Sequence, residues 1–145
     1  MSTTESPMLQ TLARMVVKDG VALGGLSADE RSLALALVWS GLSTRPCAER
    51  EINEQLKAQL AGPARCLGTD HVELRRWLVD GGWLGRDGFG REYCRVQAGE
   101  LPDAVQPTAA ALAGLDAAAW VQARRSARAE RRAAQRQQWQ RGALA

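Results

Sequence analysis

Apolar residues recur three or four positions apart in four stretches of the first 80 residues, and each stretch predicts a helix. The first follows Ser6-Pro7, which suit an N-cap and a first helical position. The second begins at Ser27, and Glu30 stands three residues later, at the spacing of a capping box. Leu33 and Leu37 form the predicted buried face of this second helix.

The third and fourth helices are separated by a glycine-proline stop. The third is expected over about residues 47–60 and ends before Gly62-Pro63. The fourth begins at Asp70, with Glu73 at the position of a second capping box, and ends at Gly81. Its predicted inward residues are Leu74 and Leu78, with Trp77 at the flank.

After this fourth helix the pattern changes to that of two short strands. Trp83-Leu84 enters the first strand, Asp87-Gly88-Phe89-Gly90 turns the chain, and residues 91–96 return as the second strand. Helices followed by a two-stranded hairpin are the order of a winged helix-turn-helix domain. The predicted fold class is therefore mainly α with a small β-hairpin.

The remainder of the chain predicts a linker and a long helix. Residues 101–107 carry two prolines, an Ala-rich stretch follows, and we predict a linker over 101–115. From Asp116 to about Arg141, alanine and arginine predominate, and both are strong helix formers. The expected organisation is a winged-helix-like domain (1–100), a linker (101–115) and a basic C-terminal helix (116–145).

Short sequence signatures support the interpretation of the first 100 residues. In order, they are Lys18-Asp19-Gly20, Glu49-Arg50-Glu51-Ile52-Asn53, Asp70-His71, Leu74-Arg75-Arg76, Leu78-Val79-Asp80, Leu84, Asp87-Gly88 and Tyr93. With these, residues of about 8–96 resemble an uncharacterised bacterial domain family that occurs alone or fused to helix-turn-helix regulators. The resemblance implies a fold and a regulator-like setting, and it implies no established activity. Cys47-Ala48 departs from the pattern, which favours an aromatic and a hydroxyl residue there, so the third helix loses a cap.

The charge of the chain is distributed unevenly. Residues 116–145 hold seven Arg against Asp116 and Glu130, whereas residues 1–115 hold twelve basic and fourteen acidic residues. The C-terminal segment is therefore basic while the rest is close to neutral. Any attraction to phosphate is expected to be local rather than spread over the whole protein.

The fourth helix and the hairpin carry candidate nucleic-acid contacts. Arg75 and Arg76 fall on the outward side of the helix, where arginine can reach guanine edges or phosphates in the major groove. The alternative is a solvated face, in which both pair with Glu73, Asp80 or acids of the third helix. On the hairpin, the candidates are Arg86, Arg91 and Arg95. Arg91 and Arg95 share a face by strand alternation, which suits either a phosphate backbone or a charged edge that prevents aggregation.

The C-terminal helix contains the strongest electrostatic feature. Arginines recur there every four residues and form a basic ridge of Arg124, Arg128, Arg132 and Arg136, flanked by Arg125 and Arg131. Such a ridge is typical of salt-sensitive binding to nucleic acid or another polyanion. It is equally compatible with packing on a partner helix or a twin subunit, or with a solvated tail. Trp139 indicates that an apolar contact is made near its end.

Catalytic and metal-binding patterns are absent from the sequence. There is no triad and no phosphate loop, because the glycines of 85–90 lie between strands. Cys47, Cys66 and Cys94 fit neither a disulfide framework nor a zinc half-site. His71 is expected to be a packed structural residue. We therefore expect no enzyme, no metal and no cofactor. Met1 to Gln10 lack a signal-peptide core and no stretch suits a membrane span, so a cytoplasmic location is expected.

These observations favour a small bacterial DNA-binding transcriptional regulator. In this hypothesis the fourth helix enters the groove, the wing contacts the backbone and the C-terminal helix anchors the complex electrostatically. One alternative is a protein-interaction module that uses the winged helix as a scaffold, including a homodimer through the C-terminal helix. Another is association with RNA or the ribosome through the basic tail.

Overall fold

The computed structural model describes residues 6–87, 89 and 91–144, which form six α-helices and a three-stranded antiparallel sheet. The helices are α1 (Pro7–Val16), α2 (Ala28–Ser40), α3 (Glu49–Ala61), α4 (His71–Asp80), α5 (Gln106–Ala113) and α6 (Ala117–Leu144). The strands are β1 (Cys47–Ala48), β2 (Leu84–Arg86) and β3 (Glu92–Arg95). The protein is mainly α with a small sheet and a long C-terminal helix, which confirms the predicted fold class.

The predicted N-caps are present at three helices. The Ser6 side chain accepts a hydrogen bond from the Leu9 amide, and Ser27 forms a complete capping box with Glu30. The hydrogen bonds from Ser27 hold the pKa of Glu30 below its usual value. At α4, Asp70 accepts from the Glu73 amide at 2.8 Å, as predicted. The Glu73 carboxylate, however, accepts from the Thr69 hydroxyl at 2.8 Å, so this second cap is not the reciprocal box that its spacing suggests.

Replacing Ser27 by alanine is expected to lower the free energy of unfolding by about 1 kcal/mol, because the first turn of α2 loses its side-chain acceptor. Chemical denaturation followed by circular dichroism measures this change. Thr44→Ala, at an exposed loop position, is the control and is expected to leave stability within about 0.5 kcal/mol. Equal stability of the two variants would contradict the capping role.

The sheet includes a strand that the sequence does not predict. Its order is β1-β3-β2, with Cys47 opposite Tyr93 and Leu84 opposite Arg95. Because Cys47 and Ala48 form β1, α3 begins two residues later than predicted, and Ala48 supplies no side-chain cap. Of the predicted turn, Gly88 and Gly90 lie outside the described residues. The Asp87 carboxylate accepts from the amides of Phe89 and Arg91, at 3.2 Å and 2.8 Å.

The core joins α2, α4 and the sheet through two tryptophans. Trp39 and Trp83 are buried with ring centroids 5.8 Å apart, and the Trp39 indole donates to the Val96 carbonyl at 2.8 Å. Leu74 and Leu78 are fully buried, as the helical pattern predicts. The opposite face of α4 is therefore turned away from the core.

Residues 101–115, predicted to be a linker, contain α5 instead. Pro107 lies in the first turn of this helix, where a missing amide hydrogen is tolerated. Ala109 and Leu112 are fully buried, and α5 packs against α2. The segment is thus part of the core rather than a spacer.

The long helix α6 has a packed part and an exposed part. Trp120 and Val121 are buried against the rest of the protein. From Ala129 to Ala143 every side chain is exposed. These 15 residues correspond to about 22 Å of helix at a rise of 1.5 Å per residue.

Candidate nucleic-acid interface

A depression of about 350 Å³ lies between the outer face of α4 and the hairpin formed by β2 and β3. We call it the α4–hairpin depression. Gly81 and Gly82 bring β2 back beside α4, and Gly82 adopts a φ of 80°, which favours glycine. The residues that line the depression are Val72, Arg75, Arg76, Val79, Asp80, Arg86 and Tyr93. It therefore combines residues of the predicted groove helix with two residues of the predicted wing, Arg86 and Tyr93.

Arg76 and Arg86 are the exposed cations of this depression. Arg76 lies on α4 and Arg86 ends β2. Neither side chain has a hydrogen-bond or ion-pair partner among residues 6–87, 89 and 91–144. Val72, 46% exposed, borders them as an apolar contact surface. Asp80 also lines the depression and reduces its positive charge.

Arg75 is directed into the protein and not toward solvent. Its guanidinium donates to the Asn53 side chain and lies 3.1 Å from the Glu49 carboxylate, both on α3. It also lies over the Tyr93 ring, 5.4 Å from the centroid. Arg75 therefore connects α4 to α3 and β3, which matches the alternative in which it pairs with acids of the third helix.

The two predicted wing arginines differ in their surroundings. Arg91 is exposed and lies beside the exposed Phe89 ring. Arg95 is half-buried, lies 4.0 Å from the Trp39 ring centroid and donates to the carbonyls of Ser40 and Leu42. Burial lowers the pKa of Arg95. The expected shared face of Arg91 and Arg95 is therefore not a common solvent-facing surface, because Arg95 turns inward with Tyr93.

The basic ridge of α6 is divided between packed and exposed arginines. Arg124 lies over the Trp120 ring at 5.2 Å and is half-buried. Arg128 donates to the Val17 carbonyl at 3.1 Å. The exposed arginines of the ridge and its flank, which lie further along the helix, are Arg131, Arg132 and Arg136. Only the distal part of the ridge is thus fully open to an outside partner.

Arg125 fixes α6 to the end of α1. It donates to the carbonyls of Val16 and Lys18 at 2.8 Å and 3.0 Å, and it pairs with Asp19 at 2.8 Å. This guanidinium lowers the pKa of Asp19. Since the last carbonyls of a helix lack intrahelical partners, Arg125 acts as a C-terminal cap from a distant helix.

Arg31 of α2 makes a contact with α4 that no sequence pattern predicts. Its guanidinium donates to the carbonyls of Leu23 and Leu26, at 3.0 Å and 2.9 Å. The same group lies over the Trp77 ring, 4.7 Å from the centroid. The sequence carries no local signal for this contact, because it depends on how the segment before α2 folds.

His71, the first residue of α4, is half-buried.

The described residues contain no group of three or more His, Cys, Asp or Glu placed to hold a metal ion. Burial raises the pKa of the Cys66 thiol to about 11. Across the same described ranges, none of the helices has both the length and the apolar character needed to cross a membrane.

Residues 27–95 match the family described as an uncharacterized protein conserved in bacteria (DUF2087). The matched residues begin at the cap of α2 and end with β3, so they contain the whole sheet and the α4–hairpin depression. No curated protein and no solved structure matches the chain. The expected likeness to an uncharacterised bacterial domain is thus confirmed for these residues, and α1, α5 and α6 lie outside the match.

Proposed function

We propose that the protein is a small bacterial transcriptional regulator that binds duplex DNA as a winged helix. The order α2-β1-α3-α4-β2-β3, with β1 pairing to β3, supports this fold assignment, because it is the order of helices and strands in a winged helix-turn-helix domain. In this proposal α4 enters the major groove and the β2–β3 hairpin is the wing.

The observation that carries the proposal is the pair of exposed arginines in the α4–hairpin depression. Arg76 on α4 and Arg86 on the hairpin face one depression without internal partners among the described residues. A solvated cation without an internal partner is available to phosphate or to a guanine edge. Their position on two different elements suits simultaneous contact with a groove and the adjacent backbone.

The contacts of the other arginines narrow the set that can reach DNA. Arg75 and Arg95 already bind groups within the protein, so we assign them positioning roles. The proposed DNA contacts are Arg76, Arg86 and Arg91, supplemented by the exposed arginines of α6. Because Glu73 and Asp80 also lie on the exposed side of α4, the helix offers limited net attraction. Most of the affinity should therefore come from the arginines of the wing and of α6. Because these contacts are to phosphates, the affinity should fall as the salt concentration rises.

The double charge reversal Arg76→Glu/Arg86→Glu is expected to weaken DNA binding by at least about 2 kcal/mol, since a hydrogen bond to a charged group contributes about 1.5–3 kcal/mol. Each reversal also places a carboxylate beside the phosphates. Fluorescence anisotropy with a random-sequence duplex, repeated at several salt concentrations, measures this loss. The control is Arg65→Glu, which reverses an exposed arginine outside the depression. If the folded double variant and the Arg65→Glu control both bind DNA as tightly as the parent protein, α4 and the wing are not the contact surface.

A second candidate function rests on the exposed part of α6. Trp139 is 77% exposed on a helix segment without any buried side chain between Ala129 and Ala143. This arrangement favours a protein partner, with an acidic surface opposite the arginines and an apolar pocket for the tryptophan. A random RNA pool in the same titrations tests the alternative in which the basic tail binds RNA. Affinity for neither DNA nor RNA would leave the protein-interaction module as the supported function.

A further inference from the structure

A cleft of about 550 Å³ lies between α1, the segment that follows it and α6. We call it the α1–α6 cleft. Its volume falls within the range of about 300–1,000 Å³ that is typical of small-molecule sites. It shares no lining residue with the α4–hairpin depression. The two surfaces can therefore be altered independently by mutation.

The lining of this cleft is strongly cationic. Five cations line it, and they are Arg14, Lys18, Arg128, Arg131 and Arg132. The only acid in the lining is Glu30, whose carboxylate already accepts from the Ser27 amide at 3.2 Å. Converging like charges raise the local potential and favour an anion in the space between them.

The cations divide into fixed and available groups. Arg128 is held by the Val17 carbonyl, and Arg14 donates to the Thr11 hydroxyl at 3.3 Å. Lys18, Arg131 and Arg132 form no hydrogen bond or ion pair through their side chains within the part of the chain that is described. These three are therefore free to bind several oxygens of a multivalent anion.

The cleft also has an apolar wall and a defined shape. Met15 is buried, and Val17, Val21 and Leu26 are half-buried along its lining. Arg125 fixes α6 against the last carbonyls of α1, so the two sides of the cleft are held at a set separation. A ligand with an apolar part as well as negative charge matches this lining better than a bare anion does.

We propose that the α1–α6 cleft binds a small organic phosphate. Its phosphate groups lie between Lys18, Arg131 and Arg132, and its apolar part lies against Val21 and Leu26. This site goes beyond the proposed DNA-binding function and does not depend on it. Because Arg131 and Arg132 lie near the start of the exposed part of α6, the bound ligand connects this part of the helix to α1.

Isothermal titration calorimetry with ADP, pyrophosphate and adenosine on the full chain tests the proposal, in about 0.15 M salt to screen weak surface attraction. ADP is expected to bind more tightly than pyrophosphate, and adenosine much more weakly than either. Arg131→Ala/Arg132→Ala should weaken ADP binding by roughly tenfold or more, since the phosphate groups lose the charge-assisted hydrogen bonds of two guanidinium groups. Both side chains are exposed, so this variant is expected to keep its fold, which circular dichroism checks.

The control is Arg141→Ala, which removes an exposed arginine of the same helix outside the cleft. It is expected to bind ADP as the parent protein does. No binding of ADP or pyrophosphate, or an equal loss in Arg141→Ala, overturns the site. A short DNA duplex is added in competition as a further arm. Because Arg131 and Arg132 are also proposed as supplementary DNA contacts, this arm uses the Arg76→Glu/Arg86→Glu protein, which lacks the main proposed contacts. If the duplex still displaces ADP from this variant as strongly as from the parent protein, the cleft is a nucleic-acid surface and the small-ligand proposal is wrong.

Discussion

Replacing Leu112 by alanine is expected to lower the free energy of unfolding by about 2–5 kcal/mol, the usual result of truncating a buried leucine. Leu112 is 0% exposed and lies on α5, which packs against α2. The substitution removes apolar surface from the core and leaves a cavity, because close-packed neighbours relax only partly. Urea denaturation followed by tryptophan fluorescence and by circular dichroism measures the loss.

Phe89→Ala is the control for this prediction. Phe89 is 85% exposed, so the removal of an even larger side chain is expected to change stability by less than about 0.5 kcal/mol. If Leu112→Ala is no more destabilising than Phe89→Ala, α5 does not pack in the core. Residues 101–115 would then behave as the linker that their prolines and alanines predict.

The elements that sequence predicts correctly here are those encoded by neighbouring residues. Ser27 and Glu30 form their box because a cap needs only positions three residues apart. The inward face of α4 follows from Leu74 and Leu78, which stand four residues apart and are both fully buried. For such features the chain carries the full signal within one or two helical turns.

The missed elements depend on contacts between distant parts of the chain. β1 has two residues, and it exists because Cys47 and Ala48 pair with β3 more than 40 positions away. α5 has eight residues without a wide apolar stripe, and Pro107 in its first turn resembles a linker signal. Its helical state becomes favourable only when α2 covers Ala109 and Leu112.

The candidate site was predictable in its charges but not in their partners. Arginine is recognised in a sequence as a cation, yet Arg31, Arg95 and Arg125 each donate to backbone carbonyls of a different segment. Arg95 and Arg125 do so at the ends of α2 and α1, where the last carbonyls lack intrahelical donors. Basic residues in this protein therefore serve either as internal contacts between segments or as exposed charge, and only the tertiary structure separates the two groups.

Replacing Arg95 by alanine is expected to lower the free energy of unfolding by about 2 kcal/mol, from the loss of charge-assisted hydrogen bonds and a cation–π contact. The Arg95 guanidinium contacts the Trp39 ring and the carbonyls of Ser40 and Leu42. Arg95→Lys is expected to restore little of this stability. A lysine ammonium keeps the charge, but it lacks a planar group that can lie over a ring while its N–H groups donate at the edge of that planar group.

Arg91→Ala is the matched control, since Arg91 adjoins the same strand and its side chain is exposed. Thermal denaturation should show Arg91→Ala close to the parent protein and Arg95→Ala clearly below it. DNA titration at a temperature where both variants are folded supplies the second readout, and there the order reverses, because Arg91 is a proposed contact and Arg95 is not. If Arg95→Ala keeps full stability and loses DNA binding, Arg95 contacts DNA directly and its assigned role at the end of α2 is wrong.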